Sequence, residues 1–176
     1  MLLVVATDHD LAAVADLVNR AYRGQAAEAG WTHEAHLLDG QRTDEASLRA
    51  DLAAKPGAVI LTLRQETWDK PFASVWLEPL EDDIWLLGML TVDPARQDGG
   101  IGRALIETAE AYARARGGQA IKMTVIEGRD SLIAWYGRRG YVPTGAYEPF
   151  PYGDQRFGQP KVDDLRFVVL KKGLQA

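Results

Sequence analysis

Six consecutive residues, Gln97-Asp98-Gly99-Gly100-Ile101-Gly102, carry the densest chemical signal in the chain. Their glycines let a bulky anion approach the main chain with no Cβ in the way. Ile101, Leu105, Thr108, Ala109 and Tyr112 then recur at helical spacing, so the glycines open a helix. Upstream, Trp85 to Val92 is a dense apolar run that reads as a strand, and Asp93-Pro94 stops it because proline has no N–H for a sheet ladder. A strand that feeds a glycine turn and a helix N-terminus is an anion-binding device. Bare N–H groups point outward, and the helix dipole favours negative charge there.

Two nucleotide readings fail on particular residues. No Lys-Ser or Lys-Thr pair follows the glycines, as an ATP or GTP loop requires. Gly100 and Gly102 match the first two places of a dinucleotide fingerprint, but Leu105 occupies the third, and no acid follows where a ribose would be held. Taken alone, the hexapeptide also suits an ordinary strand–turn–helix corner. Elsewhere, His33-Glu34-x-His36 is not the H-E-x-x-H pattern, and His9 lies in another segment, so solvated or hydrogen-bonded histidines are expected and no metal. The chain has no cysteine, which removes disulfides, thiolate metal sites and a cysteine nucleophile together.

The elements that must position these residues follow from periodicity and punctuation. Leu2 to Ala6 reads as a strand, and Thr7-x-x-Asp10 resembles a capping box before a helix with Leu11, Val14, Val18, Ala21 and Tyr22 on one face. Thr32 is expected to cap a short helix carrying Glu34, Leu37 and Leu38 and ended by Gly40. Thr43 is expected to cap the next, with Leu48 and Leu52 inward and Pro56-Gly57 as the stop. Ala58 to Leu63 and Phe72 to Leu77 are strands joined by the charged turn 64–70, and the acidic turn 79–83 leads to the Trp85 strand. Ala120 to Ile126 is a strand. Asp130 is the expected N-cap of a helix over Ser131 to Arg139, with Gly140 beyond its end. Tyr141 to Ala146 and Leu165 to Lys171 are the last strands. The aromatic- and proline-rich loop 147–164 between them suits a substrate-facing flap, a dimer contact or a packed surface loop. The order β-α-α-β-β-β-α-β-α-β-β predicts one three-layer α/β/α domain over residues 1–176 around a mixed, mostly antiparallel sheet of about seven strands.

The whole of Leu90-Thr91-Val92-Asp93-Pro94, Gln97-x-x-Gly100-x-Gly102 and Arg103-Ala-Leu105 resembles the acetyl-coenzyme A loop of the GNAT superfamily of N-acetyltransferases. Leu132-Ile-Ala-Trp-Tyr136-Gly-Arg-Arg-Gly140-Tyr141 resembles that family's last helix, where a tyrosine precedes a glycine–aromatic pair. The resemblance implies acetyl-CoA as co-substrate and Tyr136 as the general acid. It implies that the main chain of Leu90, Thr91 and Val92 runs beside the pantetheine arm, with a backbone N–H near Leu90 as oxyanion donor. The amides of Gln97, Asp98, Gly99, Gly100, Ile101 and Gly102 would take the pyrophosphate. Arg96 and Arg103 are either further phosphate partners or solvated. Two positions depart from the family pattern. Arg129 stands where many members have Asn, and Trp85 and Leu86 stand where some have a glutamate base. The base is therefore open among Glu81, Asp82, Asp83, Glu28 and Glu34. Trp31, Glu34 and Tyr152 are the candidate acceptor-site residues, Trp31 being equally suited to packing.

Acetyl transfer to nitrogen needs a neutral amine. A lysine-type amine with pKa about 10.4 is neutral in about one molecule in a few thousand at pH 7, a penalty of roughly 4–5 kcal/mol that the site must offset. With no cysteine and no serine in a nucleophile elbow, direct attack in a ternary complex is expected. A non-catalytic acyl-CoA-binding module is the alternative. Twenty Lys+Arg against 25 Asp+Glu, net −5, gives no electrostatic case for nucleic acid or an anionic membrane, and mildly favours a cationic acceptor. The partner expected is a small-molecule or peptide amine, with a homodimer possible. MLLVVATDHD does not read as a signal peptide and no apolar run is long enough to span a bilayer, so a cytoplasmic location is expected.

Overall fold

The computed structural model describes residues 1–23, 37–152, 154 and 158–175, with the backbone alone described for Asp39 and Asp98. The elements are β1 (Leu2–Val5), α1 (Leu11–Tyr22), β2 (Leu38–Asp39), α2 (Glu45–Ala54), β3 (Val59–Arg64), β4 (Ala73–Pro79), β5 (Ile84–Val92), α3 (Ile101–Arg114), β6 (Ala120–Ile126), α4 (Asp130–Gly137), β7 (Val142–Pro149), β8 (Gln159–Pro160) and β9 (Arg166–Gly173). One sheet has the expected number of about seven strands, in the order β1-β3-β4-β5-β6-β9-β7, and β2 and β8 form a small separate ribbon. Every pairing is antiparallel except β5 with β6, which are parallel.

Strand alternation sorts the apolar residues to two faces. Leu61 of β3 and Leu77 of β4 pack with Leu105, Ile106 and Ala109 of α3. Their chain neighbours Ile60 and Trp76 point the other way and pack with Leu11, Val14 and Val18 of α1 and Leu48 of α2. The result is the expected sheet between two helical layers. Among the described residues, no helix is long and apolar enough to cross a membrane.

The feature that matters for function is the β5–β6 pair. Its register covers Ile84↔Ala120, Trp85↔Ile121 and Leu86↔Lys122. Beyond Leu86 the two strands part. β5 continues to Val92 along β4, and β6 continues to Ile126 along β9. The sheet is thereby split into two halves at one end.

Several local expectations are corrected. Leu38 lies in β2, opposite Pro160, not in a helix ended by Gly40. Its side chain is buried with Ile126, Phe150 and Leu165. The remainder of that expected helix, with its cap Thr32, lies outside the described residues. Asp44, not Thr43, caps α2, its carboxylate accepting from the Ser47 N–H at 2.7 Å. Thr43 is buried, with its own N–H and C=O tied to the Asn19 side chain. At α4 the Arg129 carbonyl accepts the first helical bond, from Ile133 N–H at 3.0 Å. Asp130 is therefore inside the first turn, where a carboxylate suits the dipole. The loop 147–164 is shorter than expected at its start, because β7 runs on to Pro149.

Candidate active site

β5 does not reach the parting as a regular strand. Its register against β4 passes from Ser74↔Thr91 to Trp76↔Gly88, so β5 holds one extra residue, a bulge. Met89 takes a left-handed backbone there, φ 47°. The Thr91 hydroxyl, fully buried, donates to the Met89 carbonyl at 2.8 Å and braces the distortion. Asp93 N–H donates to Phe72 C=O on the β4 side, so by strand alternation Val92 and Leu90 turn their main-chain groups to the open side. Both carbonyls are engaged there: Leu90 C=O accepts from Tyr22 Oη at 2.9 Å, and Val92 C=O from the Gln97 amide at 3.0 Å.

The glycine segment follows. Pro94–Gly99 is a 3-10 turn, started by the Asp93 carboxylate accepting from Ala95 N–H at 3.0 Å. Gly100 adopts φ 71° and begins α3 with no side-chain cap. The first helical bond runs from Ala104 N–H to Gly100 C=O, which leaves the N–H groups of Ile101, Gly102 and Arg103 without intrahelical acceptors. A Cβ placed on Gly100 would meet no protein atom within 4 Å. This is an open, donor-rich cradle of the kind a pyrophosphate fills. Arg103 is exposed and ion-paired with Glu107 at 2.9 Å, and Arg96 stacks over the Phe72 ring at 4.7 Å. A recess of about 360 Å³ lies beside this turn, lined by Arg103, Arg138, Arg139, Lys172, Glu107 and Glu110.

Tyr136 is fixed from below. The Tyr141 N–H bonds to the Tyr136 carbonyl and the Gly140 N–H to the Gly137 carbonyl, with Gly140 at φ 91°, a Schellman closure of α4. The Tyr136 ring is buried edge-on to Trp135 and Tyr141. Tyr136 and Leu90 both line one cavity of about 680 Å³ that enters the parting of β5 and β6. Arg129 lines it too, at the position where the sequence departs from the resemblance.

The far wall of that cavity was not read from the sequence. It holds Tyr22, Arg42, Asp51, Trp76 and Met89, with Glu148, Pro149, Phe150 and Pro151 at the end of β7. Tyr22 was visible only as the last apolar position of α1; nothing in its spacing signals the hydroxyl's bond to Leu90. Of the expected acceptor residues, Tyr152 lies beside the cavity and does not line it. Its hydroxyl donates to Val162 C=O at 2.9 Å and accepts from Leu165 N–H at 2.7 Å, bracing the loop. Trp31 and Glu34 lie outside the described residues, as does Glu28. Glu81, Asp82 and Asp83 sit at the opposite end of β5 from Leu90, roughly 20 Å away along the strand. Among the described residues, the acids that line the cavity are Asp51 and Glu148, the latter ion-paired with Lys122 at 2.7 Å. Among the described residues no group of His, Asp or Glu is placed to hold a metal ion, and His33 and His36 lie outside them.

Residues 11–141 match the family model of the acetyltransferase (GNAT) family. The chain belongs to the GNAT acetyltransferase family. Solved structures agree at the level of fold. The ribosomal-protein-S18-alanine N-acetyltransferase of Escherichia coli aligns at TM-score 0.69 and 18% identity, over 99% of this chain and 94% of that one. The ribosomal-protein-alanine N-acetyltransferase of Brucella melitensis aligns at TM-score 0.71 and 19% identity, over 99% and 100%. Salmonella typhimurium yncA, a putative acetyltransferase solved with its cofactor acetyl-CoA, aligns at 0.69 and 18%, over 100% and 95%. Comparison with curated protein sequences gives no match. GNAT acetyltransferases take the acetyl group from acetyl-CoA, and this chain's features fit that molecule. An uncapped α3 with open space at Gly100 suits its phosphates, and the stretch of β5 beyond Leu86, which β6 leaves unpaired, suits its amide-bearing arm.

Proposed function

We propose that this GNAT protein is an N-acetyltransferase that moves acetyl from acetyl-CoA to an amine by direct attack in a ternary complex. One observation supports the reading: Leu90 of β5 and Tyr136 of α4 line a single cavity. Bound acetyl-CoA supplies a thioester carbonyl, and as the C–N bond forms and the C–S bond breaks, the nitrogen loses a proton and the sulfur gains one.

Leu90 N–H, turned to the open side by the bulge, serves as the donor for negative charge developing on the carbonyl oxygen. Tyr22 Oη holds the Leu90 carbonyl, so the peptide unit does not swing. Tyr136 Oη delivers or hydrogen-bonds the proton wanted at sulfur. A phenol near pKa 10 protonating a thiolate near 8.5 is uphill by roughly 2 kcal/mol, so orientation by α4 counts as much as acidity. Asp51 and Glu148 replace the acidic turn 81–83 as candidates for taking the amine proton, directly or through water, because they face the cavity.

The test is a thermal-shift titration with acetyl-CoA followed by thiol release over an amine panel. Saturation at 100 times Kd should stabilise the protein by about 2.7 kcal/mol, a rise of several degrees in Tm for a chain of this length. Thiol release that depends on the added amine supports the enzyme. A shift with no release from any amine favours the acyl-CoA-binding module, and no shift at all removes the donor assignment.

A further inference from the structure

The cavity that Tyr136 lines also carries an arginine from the segment before α2. Arg42 lines the cavity and is half-buried. Its guanidinium lies over the Tyr22 ring, 5.8 Å from the centroid. Among the described residues, no carboxylate and no hydrogen-bond acceptor meets it. The other arginine contacts differ: Arg20 has Asp16 and Asp93, Arg64 has Asp10, and Arg166 has Glu127. A half-buried guanidinium with five donors and a planar fork is matched by a carboxylate, which it can bind through two parallel bonds.

The position is as telling as the missing partner. Tyr22 carries Arg42 on its ring and, at its hydroxyl, holds the Leu90 carbonyl at 2.9 Å. One side chain therefore separates Arg42 from the reaction centre. The lining also offers apolar surface from Trp76, Met89 and Phe150, the first two in the cluster that holds Tyr22. Among the described residues the lining also runs against the chain's net charge of −5: it has four cations, Arg23, Arg42, Lys55 and Arg129, and two acids, Asp51 and Glu148. Of these, Lys55 is paired with Glu78 and Glu148 with Lys122, both outside the lining.

We infer that Arg42 anchors the acceptor by a carboxylate close to its amine, so that the substrate class is a free α-amino acid with an apolar side chain. The inference rests on the acetyl-transfer reading above. A peptide N-terminus is disfavoured by the same geometry, because its amine has an amide in place of the adjacent carboxylate. The expectation of a cationic acceptor, taken from whole-chain charge, is replaced by that of a zwitterion.

The experiment compares leucine and methionine with their carboxamides as acceptors, by thiol release from acetyl-CoA. The amide's amine is the less basic and more often neutral, so intrinsic reactivity favours the amide. A preference of about 100-fold in kcat/KM for the free acid is expected. Arg42→Ala should lower the acid's kcat/KM about 100-fold, leave the amide's within threefold and leave stabilisation by acetyl-CoA unchanged. Arg42→Lys should restore part of the loss. Amides used as well as acids, or a variant that lowers both alike, would overturn the inference while leaving acetyl transfer standing. Turnover of peptides or polyamines alone would do the same. Thiol release from no amine at all would sink the acetyl-transfer reading and this one with it. Should Arg42→Ala fail to fold, the acid-to-amide ratio of the native protein decides alone.

Discussion

Tyr136 shares the buried face of α4 with Leu132, one turn earlier, and is held there by Trp135 and Tyr141. Its carbonyl is the acceptor of the Schellman closure, its ring sits between Trp135 and Tyr141, and its side chain faces a cavity shared with Leu90. Phenylalanine fills the same volume and keeps both ring contacts, so Tyr136→Phe isolates the hydroxyl. The expected result is a fall of about 100-fold in kcat, at the low end of general acid effects, with KM for acetyl-CoA within threefold and an unchanged Tm. Steady-state thiol release over a range of acetyl-CoA concentrations measures it. Unchanged kcat would make Tyr136 a packing residue. Leu90 behaves differently, because its role lies in its peptide unit: conservative aliphatic replacements there test little. The hydroxyl of Tyr22, which holds the Leu90 carbonyl, is the handle on that unit.

At the scale of elements, the strand β5, the 3-10 turn and α3 form one device whose parts were legible to different degrees. The one-faced burial of α1, the apolar run of β5 and the helical spacing of α3 are local patterns, and a sequence displays them directly. The left-handed Gly100 was signalled by its residue type. The bulge at Met89 was not, because a left-handed methionine has no local signature. The bulge is set by the register against β4, by Thr91 and by a Tyr22 hydroxyl that arrives from 68 residues away. The two-residue β2 is too short for any period to mark it. The cavity wall proposed for the acceptor was illegible for the same reason as the bulge: Arg42, Asp51 and Glu148 come from separate segments and line one cavity only through the topology. The glycine device itself is testable. A Cβ at Gly100 has open space around it, so Gly100→Glu should fold, with a backbone penalty of about 1–2 kcal/mol at φ 71°. It should nonetheless reduce acetyl-CoA affinity by more than 100-fold, by placing bulk and negative charge where three helical N–H groups are bare. Isothermal titration with acetyl-CoA decides this, and a Kd within tenfold of the native value would displace the phosphates from α3.

For the molecule as a whole, parting the sheet creates a mechanical problem. Beyond Leu86 no ladder bonds join β5 to β6, so the halves must be held together from the side. Glu110 does this. It lies on α3, which packs against β4 and β5, and is buried at 6% exposure. Its carboxylate accepts from Lys172 Nζ of β9 at 2.8 Å through both oxygens, and from Tyr141 Oη at 2.9 Å. One side chain of the β5 half thus grips two positions of the β6–β9–β7 half. Burial, reinforced by the adjacent Glu110 carboxylate, holds the Tyr141 phenol far above its ordinary pKa, so it stays a donor through the accessible pH range. Glu110→Leu would leave a part-buried ammonium and a buried hydroxyl with no acceptor. Losses of this kind run to 3–5 kcal/mol for a fully buried pair, and the Lys172 side chain, 27% exposed, recovers some hydration. The expected destabilisation is about 2–3 kcal/mol, a fall in Tm of roughly 4–12 °C for a chain of this size. Glu110→Gln should fall between, since an amide oxygen still accepts from Tyr141 but no longer compensates the charge. Urea denaturation followed by tryptophan fluorescence gives the ordering. If both variants unfold at the native midpoint, Glu110 is not what holds the halves together, and the packing of α3 on the sheet must do so unaided.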